Sequence, residues 1–400
     1  MSSKAQRFID LDNAVSAHNY APLPVVLERG KGVFVWAVDG TRYFDMLSAY
    51  SALNQGHCHP KIAAAAKKQL GKLTLSSRAF HNTLMGAFLK KLCEMTGQAK
   101  ALPMNSGAEA VETAIKAMRL WGYRRKGIAR NQAEIIVARG NFHGRTTTIV
   151  GFSSDPDSHE GFGPATPGFI QVNYGSVEDL EAAISERTCG VLLEPIQGEA
   201  GVVIPPEGYL RKVRDICTRK NVLFCADEIQ TGLGRTGKLL AVEHEGVVPD
   251  LVILGKALSG GFYPISAVAG KDEVLGLFTP GTHGSTFGGN PLASAIGLAA
   301  LDVIEKEKLP AKAEKLGALF LAKLRSLEDP RILEARGRGL LLALEFKKPL
   351  AKDFCKALMK RGLLAKDTHQ TTVRFAPPLV ITAAQLDAAF RIIAKTLRDF

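Results

Sequence analysis

Between about residues 60 and 270 the chain repeats one pattern, a strand-length apolar run followed by a segment with helical spacing. The runs fall at 133–138, 189–194, 221–227, 250–255 and 265–269. Strands that are apolar throughout belong to sheets covered on both faces, and strands alternating with helices build mostly parallel sheets. The pattern therefore predicts an α/β fold. Two runs end on a charged residue: Asn221-Val-Leu-Phe-Cys-Ala-Asp227 and Asp250-Leu-Val-Ile-Leu-Gly-Lys256. Both side chains would emerge at the carboxyl edge of the sheet, where open α/β sheets bind their ligands.

The flanking regions read differently. Residues 33–46 predict a β-hairpin, with Asp39-Gly40 as the tight turn. After about residue 290 a long Ala/Leu helix, 291–306, leads into charged helices with strands near 339–346 and 372–376. A chain of 400 residues is too long for one core. The expected division is an N-terminal segment with a hairpin at 1–51, a large domain at 52–302 and a small α+β domain at 303–400. No low-complexity tract or flexible linker separates them, so close packing is expected.

Composition narrows the function classes. A hydrophobic share of 46% and a charged share of 22% are ordinary for a globular chain, and no run approaches the length a membrane span needs. The opening Met-Ser-Ser-Lys-Ala-Gln-Arg is too polar for a signal peptide, so a cytoplasmic location is expected. Six scattered cysteines without a Cys-x-x-Cys pair fit a reducing compartment. The net charge of +12 raises the question of nucleic acid, but most basic residues alternate with acids, as in Glu305-Lys-Glu-Lys308. No aromatic-interleaved basic stripe accompanies them, and no nucleic-acid partner is expected.

The chemistry-bearing residues are few. Alone, Lys256 reads as a solvated strand end and Asp227 as a turn residue. Together at one sheet edge, an amine and a carboxylate suit pyridoxal 5′-phosphate, the amine bonding its aldehyde and the carboxylate pairing with its protonated ring nitrogen. A third contact comes from Asn105-Ser106-Gly107-Ala108-Glu109, which opens a helix carrying Val111, Ala114, Ile115, Met118 and Trp121 at helical spacing. Ser106 and Glu109 form a capping-box pair, and such a helix start offers free N–H groups to a phosphate. Gly284-Ser-Thr-Phe-Gly-Gly-Asn290 is either a surface loop or a further phosphate clamp.

Two other motifs point elsewhere. Gly232-Leu-Gly-Arg-Thr-Gly237 matches the G-x-G-x-x-G fingerprint and raises a nicotinamide oxidoreductase as the alternative. It lies four residues beyond the strand end at Asp227 and leaves little room for a crossover helix. His57-Cys-His59 could begin a metal site, but two ligands on one loop without partners are more often structural, and no metal is expected.

Asn105–Glu109, Asn141-Phe-His-Gly-Arg-Thr146, Glu194-Pro-Ile-Gln-Gly-Glu199, Ala226-Asp-Glu-Ile-Gln-Thr231, Gly255–Gly261 and Gly284–Asn290 occur in one order across the chain. This set resembles the class III, ω-amino-acid aminotransferases of fold type I, and the resemblance covers essentially the whole sequence. It implies a large domain with a mostly parallel seven-stranded sheet, pyridoxal phosphate as cofactor, and a homodimer with shared sites. Lys256 would carry the cofactor and move the proton, while Asp227 would keep the ring nitrogen protonated. Phe142 and Ile229 would flank the ring, and Gln230 would reach its hydroxyl. Ser106, Gly107 and Ala108 would bind the phosphate, joined by Ser285 and Thr286 of the neighbouring subunit.

Within the family, His18-Asn-Tyr-Ala-Pro-Leu-Pro24, Asn54-Gln-Gly-His-Cys-His-Pro60, Trp121-Gly-Tyr123 and Val373-Arg-Phe-Ala-Pro-Pro-Leu379 resemble the ornithine-using branch. That likeness implies transfer of the δ-amino group of L-ornithine to 2-oxoglutarate. Arg145 would bind the ornithine carboxylate, and Tyr20 and Tyr50 would meet its α-amino end. Arg374 would bind 2-oxoglutarate, with Glu199 masking it while ornithine reacts. N-acetylornithine, 4-aminobutyrate and other ω-amines stay open as donors.

Overall fold

A computed structural model describes residues 3–400. The N-terminal hairpin forms as expected, β2 (Phe34–Ala37) against β3 (Arg42–Asp45), and β1 (Leu27–Lys31) adds a strand outside it. The central sheet contains β4 (Lys100–Met104), β5 (Glu134–Ala138), β6 (Phe169–Val172), β7 (Thr188–Leu193), β8 (Leu223–Asp227), β9 (Leu251–Leu254) and β10 (Ser266–Gly270). Their order is β4-β10-β9-β8-β7-β5-β6. The pairings among β5 to β9 and β6 are parallel, and β10 runs antiparallel to both its neighbours.

All five apolar runs are strands of this sheet. Their uninterrupted hydrophobicity has a direct cause: Phe224, Ala226, Val252 and Leu254 enter the core on one face, while Leu223, Cys225, Leu251 and Ile253 enter the core on the other. Sequence reading missed β4 and β6, which are the two edge strands. An edge strand needs a ladder on one side only, so β4 tolerates Pro103 and β6 tolerates Gln171.

The C-terminal region supplies β11 (Ile332–Arg338), β12 (Leu341–Phe346), β13 (Leu363–Leu364), β14 (Lys366–Thr368) and β15 (Thr372–Phe375). Four of these make an antiparallel sheet in the order β11-β12-β15-β14. The fifth, β13, leaves that sheet and pairs in parallel with β3, setting Asp45 beside Leu364. Two further backbone bonds reinforce the junction, Met46 N–H to Leu364 O at 2.9 Å and Ala376 N–H to Met46 O at 2.7 Å. The two ends of the chain thus share a sheet, a pairing of two residues that no local pattern announces.

Buried amides then tie this junction to the central sheet. Asn54 donates to Leu233 O at 3.0 Å and accepts from the Arg235 guanidinium at 2.6 Å. Gln55 donates to Ala257 O at 3.0 Å, one residue past Lys256. Arg235 is fully buried and also donates to Leu340 O and Pro377 O. Burial pushes its guanidinium down to about 9, because its three acceptors are neutral. The glycine motif around Arg235 is therefore a turn that joins the central sheet to the C-terminal region, followed only by the short 3-10 helix Ala241–Glu245 and not by the α-helix a dinucleotide site requires.

Asn54→Ala should remove two buried hydrogen bonds, one to a charged group. We expect a loss of about 3 kcal/mol in denaturant unfolding. Asn54→Asp, which keeps an acceptor for Arg235, should cost less.

Candidate active site

Asp227 ends β8 and lies beside Ile253 of the neighbouring strand, so Lys256 follows three residues later at the same sheet edge. The Asp227 carboxylate is 4% exposed. Its Oδ1 accepts from Ile229 N–H at 3.0 Å, and its Oδ2 accepts from His143 Nδ1 at 2.6 Å. Burial alone would lower the basicity of His143, but the hydrogen bond and charge of Asp227 outweigh it and leave the imidazole above its ordinary value. The other ring nitrogen, Nε2, is buried without a partner.

Lys256 adopts a left-handed φ of 43° directly after extended Gly255, opening the short helical turn Lys256–Ser259. Among the described residues its amine makes no hydrogen bond or ion pair. Burial lowers its pKa from 10.5. Glu199 and Asp227 pull it back up, and Arg374 lowers it further.

The helix Gly107–Trp121 begins with the expected capping box. Ser106 Oγ accepts from Glu109 N–H at 3.2 Å, and Ser106 N–H donates to Glu109 Oε2 at 2.6 Å. The first intrahelical bond is Ala110 N–H to Ser106 O, so the N–H groups of Gly107 and Ala108 have no helical acceptor. A Cβ on Gly107 would stand 3.0 Å from Ile229 Cδ1, and one on Gly255 would stand 3.6 Å from the same side chain. Ile229 therefore lies between the helix start and the lysine.

The loop carrying Phe142 presses onto that helix start: a Cβ on Gly144, at φ 129°, would be 2.8 Å from Ala108 Cβ. Phe142 N–H donates to Glu194 Oε2 at 3.0 Å. Ser285 Oγ accepts from Asn105 Nδ2 at 2.9 Å, which puts the 284–290 loop at the border of the cradle, and Thr286 is exposed there.

A cavity of about 940 Å³ opens beside these groups, lined by Tyr20, Tyr50, Phe142, Arg145 and Glu199 among others. Arg145 is exposed and forms no ion pair among the described residues, its guanidinium lying 5.8 Å from the Phe142 ring centre. Arg374, on β15, is the opposite case at 3% exposed. It forks to both oxygens of Glu199, at 2.8 and 3.0 Å, and its charge holds that carboxyl below its usual range although burial opposes this. Gln230 joins the pair through both amide atoms, donating to Glu199 Oε1 at 3.0 Å and accepting from Arg374 at 3.3 Å. Both atoms of its amide thus engage the ion pair.

Tyr50 reaches Arg374 by an unusual route. Ser48, Ala49, Tyr50 and Ser51 all have positive φ, at 52°, 46°, 59° and 71°. Left-handed backbone costs a non-glycine residue roughly 1–2 kcal/mol. The turn sets the Tyr50 ring 5.2 Å from the Arg374 guanidinium.

Sequence reading gave no role to His143 or Glu194, though both lie in segments it singled out. The signal for Glu194 was available: like Asp227, it directly follows an apolar strand run. Burial pushes its carboxyl up to about 8. His57 and His59 do not converge, since His57 Nε2 pairs with Asp45 at 2.7 Å and His59 Nε2 with Glu307 at 3.3 Å.

The comparisons with known proteins agree with this geometry. Residues 15–397 match the family model described as aminotransferase class-III. A curated relative from Oceanobacillus iheyensis, named ornithine aminotransferase, is 53% identical over 399 residues, covering 100% of both chains. A solved ornithine aminotransferase from Toxoplasma gondii, reported with partial occupancy of pyridoxal phosphate at its active site, superposes with a TM-score of 0.97. It is 45% identical and covers 99% of this chain and 94% of that one. A solved acetylornithine aminotransferase from Elizabethkingia anophelis gives a TM-score of 0.91 and 49% identity, with 99% coverage of each chain. With the family model matching residues 15–397 and a relative 53% identical over the whole chain, the chain belongs to the class-III aminotransferases.

Proposed function

We propose that the protein is a pyridoxal-phosphate-dependent enzyme that transfers the δ-amino group of L-ornithine to 2-oxoglutarate. Its products would be L-glutamate and glutamate-5-semialdehyde, which cyclises to pyrroline-5-carboxylate. The residues present fit the cofactor: a half-buried amine without a hydrogen-bond partner, a buried carboxylate fixed by His143, and free N–H groups at a helix start. Bound there, the cofactor supplies an aldehyde that captures amines and a protonated ring that withdraws electrons from the reacting carbon.

Lys256 holds the cofactor, then uses its freed amine to move a proton at the reacting carbon. Its depressed pKa favours this, since a buried amine is more readily neutral. Asp227 meets the ring nitrogen, with His143 orienting the carboxylate. Ser106, Gly107 and Ala108 bind the phosphate, and Phe142 and Ile229 pack on the ring faces.

The observation that carries the substrate reading is the contrast between the two arginines. Arg145 is open and unpaired, ready for a bidentate grip on the carboxylate of an amino acid that presents its far amine to the cofactor. Arg374 is buried and covered by Glu199, and becomes available only when that carboxylate moves aside for 2-oxoglutarate. Tyr20 and Tyr50 would meet the α-amino end of the donor. The likeness to the acetylornithine enzyme favours N-acetylornithine as the second reading.

The same reading takes the chain as a cytoplasmic homodimer in which Ser285 and Thr286 reach the partner's phosphate. Its regions are an N-terminal segment (1–51), a large cofactor domain (52–302) and a small C-terminal domain (303–400). No helix among the described residues is long and apolar enough to cross a membrane.

A donor panel with 2-oxoglutarate, scored by trapping the cyclised product, tests the assignment; N-acetylornithine outrunning ornithine would replace it. Lys256→Ala should abolish turnover while cofactor still binds, and borohydride should no longer fix the cofactor covalently to the chain as it does in the parent protein. Arg145→Ala should lower kcat/KM for ornithine by about 30- to 100-fold, the loss of a charge-assisted pair of roughly 2–3 kcal/mol, with the 2-oxoglutarate half-reaction little changed. The cofactor-free protein should also respond to pH. Because Lys256 is depressed in the fold, the unfolded chain binds more protons between that value and 10.5, so stability rises with pH across the interval. Lys256→Met should remove that part of the rise in denaturant titrations at matched pH.

A further inference from the structure

The left-handed turn that carries Tyr50 is anchored at its start by one buried carboxylate. Asp45, the last residue of β3, is 6% exposed, and its Oδ1 accepts from both Leu47 N–H at 2.9 Å and Ser48 N–H at 2.8 Å. Its Oδ2 faces His57 Nε2 at 2.7 Å. His57 is itself fixed on two sides. Its backbone exchanges a pair of hydrogen bonds with Gly32, at 2.8 and 3.0 Å, and its ring packs so closely over Gly30 that a Cβ there would approach Nδ1 to 2.7 Å.

The four residues Ser48–Ser51, which begin three positions after Asp45, are held away from ordinary backbone geometry. Within the turn, Ala52 N–H reaches Ser48 O at 2.8 Å and Leu53 N–H reaches the same oxygen at 3.1 Å. The hydroxyls of Ser48 and Ser51 are buried without partners, so neither side chain braces the turn. Strained backbone persists only where its surroundings over-determine it. Here the determining contacts are the carboxylate at the turn's entrance and the His57 ring behind it.

From this we infer that Asp45 and His57 are positioning residues for the reaction, locking the strained turn Ser48–Ser51 so that Tyr50 stands against Arg374 and shapes the donor side of the cavity. The inference rests on the proposed function only in taking Tyr50 and Arg374 as substrate-binding groups. Asp45 and His57 both line the edge of that cavity, but the Asp45 oxygens are engaged by Leu47 N–H, Ser48 N–H and the His57 ring. Their influence passes through the backbone between residues 45 and 50. A short link of this kind, with the anchor five residues from the side chain it places, should make the two positions energetically dependent on each other.

A double-mutant cycle in the holoenzyme tests this. Asp45→Ala, Tyr50→Ala and the combined variant are compared by kcat/KM for the best amino donor of the panel, with cofactor absorbance and Tm as controls. Asp45→Ala should lower kcat/KM about tenfold or more while cofactor binding is kept. In the Tyr50→Ala background the same change should have less than a twofold effect. Independent, multiplicative losses would overturn the inference. Ala49→Gly, which takes positive φ without a steric penalty, should recover at least threefold of the activity lost in Asp45→Ala. Should Asp45→Ala fail to fold, Asp45→Asn decides. It keeps the acceptor for Leu47 and Ser48 and should stay within threefold of the parent; a defect beyond that counts against the anchor. A parent protein inactive on ornithine but active on another ω-amine would sink the donor assignment alone, since the cycle is scored on whichever amine it uses.

Discussion

Of two neighbouring parallel strands, one ends on Asp227 and the other is followed two residues later by Lys256, and that adjacency puts an acid and an amine at one edge of the sheet. A buried charge is costly unless it is paired or neutralised. The two residues meet this cost differently. Asp227 is paired with His143 and with the Ile229 N–H. Lys256 has no such partner and is pushed toward its neutral form. Much of the surrounding structure follows from keeping one group satisfied and the other available. Ile229 fills the gap between the lysine and the helix start, and the loop through Phe142 is fastened to Glu194 so that it can lie on the cradle.

The Glu199–Arg374 pair is a second answer to the same problem. A buried arginine proposed to meet a dicarboxylate would need an anion in its place when that ligand is absent. Glu199 supplies one on a segment that also presents Gly198, whose missing side chain leaves room for the Gln230 amide. Arg145 needs no such cover because it lies at the solvent-exposed mouth of the cavity. Under the proposed function, the difference in burial between the two guanidiniums would let one pocket address two ligands in turn.

Local sequence disclosed a good deal of this. The five central strands were legible because both of their faces are buried, which makes them apolar throughout. The helix start at Ser106 was legible because its capping box is written in residues three apart. The edge strands β4 and β6 were not, since half-paired strands tolerate proline and glutamine. The β3–β13 pairing was hidden for another reason: it joins residues more than 300 positions apart through two pairs of residues, and nothing in either segment alone requires the other. Asn54 and Gln55 stood out in the sequence as part of a resemblance, and the physical reason is their pair of buried amide clamps across the same junction. Gln230 was assigned by resemblance to the cofactor ring, and its present hydrogen bonds to Glu199 and Arg374 depend on a C-terminal strand that local reading could not bring near.

That junction also explains why the substrate side of the site can be strained while the cofactor side is regular. Ser106, Asp227 and Lys256 stand at the ends of sheet strands or at a capped helix, where ordinary backbone geometry suffices, Lys256 alone needing a single left-handed residue. Tyr50 instead belongs to a segment that must leave β3, pass beside β15 and return to the central sheet at Gln55 within ten residues of Asp45. A right-handed turn would carry the tyrosine elsewhere, so the chain adopts the left-handed one and fixes both ends: Asp45 at the entrance, and the Asn54 and Gln55 amides at the exit. The strain is tolerable because it is bounded on each side by buried, hydrogen-bonded polar groups. In the proposed function it falls on the side of the pocket where one amino donor would be told from another, and away from the lysine that every donor would have to reach.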